Sequence, residues 1–180
     1  FDVDITLRPD ATFHVTERIV YTFGERDRHG IFRYIQTRYY IKDDPKFERV
    51  IKLDDITVTS PSGAPTNTSI SNDGQYRVIR IGHEDKTISG THTYVIDYDV
   101  RGAMNGSVNR FDHAELAWDV TGHGWDAPIL RSSASVEGPG PVQQSACYAG
   151  TAGSQLPCTR SRVNGDAARF EQGPMGGNRG

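Results

Sequence analysis

The sequence lacks any long apolar run. Nowhere in its 180 residues do about 18 apolar residues follow one another, so the chain holds no segment fit to cross a bilayer as a helix. It also lacks a dense basic run. Lysines and arginines are scattered through a chain of net charge -3, which argues against nucleic acid as a partner. The richest basic stretch, Arg33-Tyr-Ile-Gln-Thr-Arg38-Tyr-Tyr-Ile-Lys42, alternates with aromatics and reads as a strand with a solvated basic face. The signatures G-x-S-x-G, H-E-x-x-H and a phosphate-cradling glycine loop ahead of a helix are missing. So is any stretch combining a 3.6-residue apolar period with helix caps, and helices are expected to be few or absent. The sequence does not open on methionine, and its first residues already carry a strand pattern, so an upstream segment is expected to have been removed.

Cysteine is nearly absent. Cys147 and Cys158 bracket a loop rich in small residues; two thiols cannot complete a four-ligand structural zinc site, and no histidine lies between them. Their spacing is not that of a C-x-x-C redox motif. They read as a structural disulfide, which stabilises by roughly 2–3 kcal/mol in the chain-entropy model and implies an oxidising compartment.

What the sequence does have is alternation. Phe1, Val3, Ile5 and Leu7 are apolar while Asp2, Asp4 and Thr6 are polar, the period of a strand with one wet face. Arg8-Pro-Asp-Ala11 follows as a turn, and Phe13, Val15, Ile19, Tyr21 and Phe23 repeat the pattern, predicting an antiparallel hairpin. Further strands are expected at 50–59, 75–81, 92–101, 115–120, 128–136 and 168–171. Short strands separated by turn chemistry point to a β-sandwich, since a parallel sheet would need crossover helices.

Glu17 breaks the second strand by placing a carboxylate on its apolar face. A buried, unpaired carboxylate is costly, so a partner is required. Arg33, in His29-Gly-Ile-Phe-Arg33, is the candidate, in a structural ion pair beneath the sheet.

The richest concentration of reactive side chains is residues 112–128, which hold Trp118 and Trp125, the acids Asp112, Glu115, Asp119 and Asp126, and His113 and His123. Glu115 and Asp126 could form the carboxylate pair of a glycosidase. His113, His123 and Asp126 could ligate a metal, and the two indoles could stack on sugar rings. The architectural reading places Trp118 at a strand end with its indole in the core. Thr121-Gly-His-Gly124 then turns the chain on glycine's backbone freedom, and Trp125 plugs the underside. This last reading is preferred.

Several blocks together resemble the bacterial predicted membrane proteins classed as DUF2207: Asp10-Ala-Thr-Phe-His-Val-Thr-Glu17 with Tyr21-Thr-Phe23, His29-Gly-Ile-Phe-Arg33, Thr93-Tyr-Val-Ile-Asp-Tyr98, Glu115-Leu-Ala-Trp118, and Thr121-Gly-His-Gly-Trp-Asp-Ala-Pro-Ile129. The resemblance implies a signal peptide upstream, transmembrane helices downstream, and a domain outside the cytoplasmic membrane. It brings no catalytic residues.

The expected architecture is all-β, a single extracytoplasmic antiparallel β-sandwich over residues 1–172 with few or no helices. Its C-terminal part is loop-rich and disulfide-bearing, and residues 173–180 form a Gly-rich linker or truncated strand. The expected function is non-enzymatic recognition or assembly at the cell envelope. The alternative is a glycan-binding or glycan-acting module using Trp118, Trp125, Glu115 and Asp126. An envelope glycan or another envelope protein is the expected partner. No cofactor, metal or nucleic acid is expected, and membrane contact comes only through segments outside this chain.

Overall fold

A computed structural model describes residues 1–41, 44–106 and 114–177. Strands follow one another as β1 (Asp2–Leu7), β2 (Phe13–Arg28), β3 (Gly30–Gln36), β4 (Arg38–Ile41), β5 (Asp44–Val50), β6 (Lys52–Thr59), β7 (Thr68–Asp73) and β8 (Tyr76–Gly82). They continue as β9 (Ile88–Arg101), β10 (Met104–Asn105), β11 (Glu115–Leu116), β12 (Ser132–Glu137), β13 (Arg160–Asn164) and β14 (Ala167–Gln172). No helix is present among the described residues.

Seven strands form one large sheet in the order β13-β14-β12-β1-β2-β9-β6, and three form a smaller one, β3-β8-β7. The two-stranded ladders β4-β5 and β10-β11 lie apart from both. The spine of the large sheet is the antiparallel β2/β9 ladder, which runs from Phe13↔Val100 to Phe23↔Gly90 without a break in register. Its inward residues Phe13, Val15, Tyr94, Ile96, Tyr98 and Val100 are completely buried. Ile31, Ile35, Ile79 and Ile81 of the smaller sheet join them in one core, so the two sheets pack face to face as a sandwich. Each such side chain contributes on the order of 1.5–3 kcal/mol by leaving water.

One pair departs from the antiparallel expectation. β1 runs parallel to β12, with Asp2↔Ser133 through Thr6↔Glu137 in register. Their connection is the entire chain between them, so no crossover helix is needed and local patterning carries no trace of it.

Boundaries shift where patterns were weak. The strand expected at 115–120 keeps only Glu115–Leu116, and that expected at 128–136 begins at Ser132, with Ile129 instead bridging to Met175. Met175, placed in the terminal linker by the sequence, is buried and exchanges two backbone hydrogen bonds with Ile129. β7 and β13 lack alternation because every side chain on them is exposed. The basic stretch at 33–42 divides between β3 and β4, and it is not uniformly solvated: Arg38 is exposed, whereas Arg33 is buried. Lys42 lies outside the described residues.

Candidate functional site

The most polar place in the interior is built from one residue each of three strands. Glu17 on β2, Arg33 on β3 and Tyr98 on β9 are 0 %, 1 % and 0 % exposed. Arg33 Nε donates to Glu17 Oε2 at 2.7 Å and Nη2 to Oε1 at 2.9 Å, a bidentate pair. Tyr98 Oη donates to Oε1 at 2.6 Å. The remaining guanidinium donors all find carbonyls: Nη1 bonds Tyr34 O and Thr121 O, and Nη2 bonds Val120 O, each at 2.9 Å. All five donors are thereby used. The Phe1 ring lies 5.5 Å from the guanidinium carbon. Burial by itself pulls the Arg33 pKa down, but the charge and hydrogen bonds of Glu17 outweigh it and hold Arg33 above its ordinary value. Burial and then the Glu17 charge push Tyr98 well above its usual range, keeping it a donor.

This cluster explains the Thr121-Gly-His-Gly-Trp125 segment. β3 is an edge strand of its sheet, and the segment wraps that edge, touching Arg33 on the inner side and the Tyr34 ring on the outer. Gly122 has φ +74°, and a Cβ there would stand 2.8 Å from Arg33 Nη1. A Cβ on Gly124 would stand 3.2 Å from the Tyr34 ring. Thr121 O accepts from Trp125 Nε1 at 2.8 Å as well as from Arg33. Covering an edge in this way also blocks strand addition.

Trp125 is 9 % exposed and meets Phe1 edge-on, with ring centroids 5.9 Å apart. Trp118 is half-buried and stands edge-on to Phe13 at 5.2 Å, but its Nε1, though buried, has no hydrogen-bond partner among the described residues. Glu115 is exposed and accepts from Asn105 Nδ2 at 3.1 Å; Asp126 is exposed. A cavity of about 1160 Å³ takes Trp118, Glu115, Asp119 and His123 into its lining, while Trp125 and Asp126 stay outside it. The four residues of the glycan reading are therefore not gathered in one place. His123 Nδ1 lies 3.3 Å from Asp119 Oδ2, and no set of three metal-ligating side chains converges among the described residues. His113, the third member of the proposed metal set, and Asp112 lie outside those residues. Cys147 and Cys158 form the disulfide, with Cα atoms 5.4 Å apart.

Sequence reading missed two features. The first is the polar role of Tyr98: it pairs with Val15, two residues along β2 from Glu17 and on the same face, which brings its hydroxyl within reach of the buried acid. The second feature is a row of aromatics on the outer face of the small sheet. Phe32 and Tyr34 lie with centroids 6.4 Å apart, and Tyr34 and Tyr76 with centroids 6.3 Å apart. Phe32 and Tyr76 are 49 % and 41 % exposed.

A family model described as "Predicted membrane protein (DUF2207) N-terminal domain" matches residues 1–180. No curated protein matches the chain. No helix long and apolar enough to cross a membrane occurs among the described residues.

Proposed function

Because the chain belongs to the DUF2207 family of predicted membrane proteins, as its N-terminal domain, we propose that it is a non-enzymatic recognition or assembly domain of the bacterial cell envelope. It lies outside the cytoplasmic membrane and is held there by segments beyond this chain. The disulfide supports an oxidising location. The buried acid and base are consumed by architecture, since the side chains of Glu17 and Arg33 spend their hydrogen bonds on one another, Tyr98 and backbone carbonyls.

The observation that carries recognition is the row Phe32–Tyr34–Tyr76, exposed at Phe32 and Tyr76 and half-buried at Tyr34 between them. Aromatics are enriched at protein interfaces because they offer large contact area at small entropic cost, and contiguous apolar surface on a soluble face marks docking sites. The partner of this surface is another envelope protein. A glycan module using Trp118, Trp125, Glu115 and Asp126 is the weaker reading, because Trp125 is buried in the core and neither it nor Asp126 lines the cavity.

The test places a photo-crosslinking side chain at position 32 of the full-length membrane protein in cells. A discrete adduct is expected, diminished by Tyr76→Ser and absent from the more accessible position 130, where Leu130 is 74 % exposed against 49 % for Phe32. Adducts indistinguishable between positions 32 and 130 would overturn the assignment.

A further inference from the structure

The large sheet has seven strands and its cover three, so one part of its inner face has no second sheet above it. There Ile5 and Leu7 of β1, Ala134 and Val136 of β12, and Ala168 and Phe170 of β14 form a continuous floor. Their registers place them side by side: Ile5↔Val136, Val136↔Ala168, Ala134↔Phe170. The roof is irregular chain, the arm from Gly138 to Ser154 with its disulfide, and the segment from Ala114 to Thr121. Between floor and roof lies the cavity of about 1160 Å³, somewhat larger than the ~300–1,000 Å³ usual for small-molecule sites.

We infer that this cavity binds a single aliphatic chain bearing an uncharged head. Three observations select that chemistry. First, β14, β12 and β1 are each paired on both sides, so the floor offers no backbone edge and an added peptide strand has nothing to bond. Second, the floor is aliphatic apart from Phe170, with no flat aromatic pair on which a sugar could lie. Third, the charged lining is acidic once its ion pairs are counted. Arg8 is committed to Asp99 by two bonds of 2.9 Å, His123 lies 3.3 Å from Asp119 and Glu171 3.6 Å from Arg160, which leaves Glu115 and Asp166 outside these pairs and no free base among the described lining residues to receive an anionic head. Trp118 belongs to this lining, but its Nε1 is fully covered, so the ring carbons and not the donor border the apolar space that the aliphatic chain fills.

Tryptophan fluorescence tests this directly, because a bromine atom on an alkyl chain quenches an indole it touches. ω-Bromoundecanol added to the chain is expected to quench saturably, and unbrominated undecanol to reverse the quenching. Trp118→Phe should remove the saturable part, since Trp125 lies outside the cavity. ω-Bromoundecanoate should bind about tenfold more weakly or worse, its charge meeting the acidic rim. Ala168→Phe, which fills the floor, should abolish saturation with the melting transition retained. If that variant fails to fold, the undecanol reversal on the unaltered chain decides the matter. Quenching that is linear in concentration, survives Trp118→Phe or resists undecanol would overturn the site. Quenching by brominated phosphatidylcholine vesicles but not by the alcohol would also overturn it, in favour of docking on a bilayer.

Discussion

At the scale of single residues, the interior is organised around a charge pair that its surroundings leave no freedom. Glu17 interrupts an otherwise apolar face, and that interruption in the sequence was enough to require a cation; His29-Gly-Ile-Phe-Arg33 was close enough in the chain to nominate one. The structure places the two 2.7 Å apart. What the sequence could not express is that Arg33 also binds Val120, Thr121 and Tyr34 through their carbonyls, because a carbonyl is the same in every residue. Breaking such a pair from one side leaves a buried charge without its counterion, so Glu17→Gln should lower unfolding free energy by about 3–5 kcal/mol. The double variant Glu17→Leu/Arg33→Met should lose clearly less than the sum of the two single changes. Denaturant titration at constant m-value reads both; a Glu17→Gln midpoint equal to that of the unaltered chain would contradict the role given to the pair.

At the scale of elements, legibility followed alternation. β1, β2 and β9 are readable because each has one wet and one dry face. β3 alternates too, but its inward row is Ile31, Arg33, Ile35, and an arginine there made it look like a solvated basic strand. β7 and β13 are edge strands exposed along their whole length, so burial imposed no pattern on them. The turn at 121–125 carried a legible glycine signal whose cause was hidden. Gly122→Ala should destabilise more than Gly63→Ala, although both glycines have φ near +75° (+74° and +77°). Each substitution carries a left-handed backbone cost of about 1 kcal/mol. Only position 122 adds a Cβ 2.8 Å from the Arg33 guanidinium; position 63 meets nothing within 4 Å. Equal melting shifts for the two variants would mean that the guanidinium yields freely.

At the scale of the whole molecule, a long ladder and a loosely roofed flank share one sheet. The Cys147–Cys158 bond staples the roof, and neither cysteine belongs to the β2/β9 ladder. Cys147→Ser/Cys158→Ser should therefore cost about 2–3 kcal/mol, with faster amide exchange confined to the arm and to β13 and β14, while β2 and β9 keep their protection. Acceleration spread evenly over both sheets would show instead that the disulfide supports the entire core. The all-β class, the N-terminal hairpin, the need to pair Glu17 and the cysteine link were all determined by the sequence alone, since each follows from local periodicity, from the cost of a buried charge or from counting thiols. The parallel β1–β12 pairing, the edge-wrapping turn and the cavity with its orphaned Trp118 donor were decided only by tertiary structure. They depend on which faces meet and how far a three-stranded sheet reaches across a seven-stranded one, and no local pattern of residues encodes that distance.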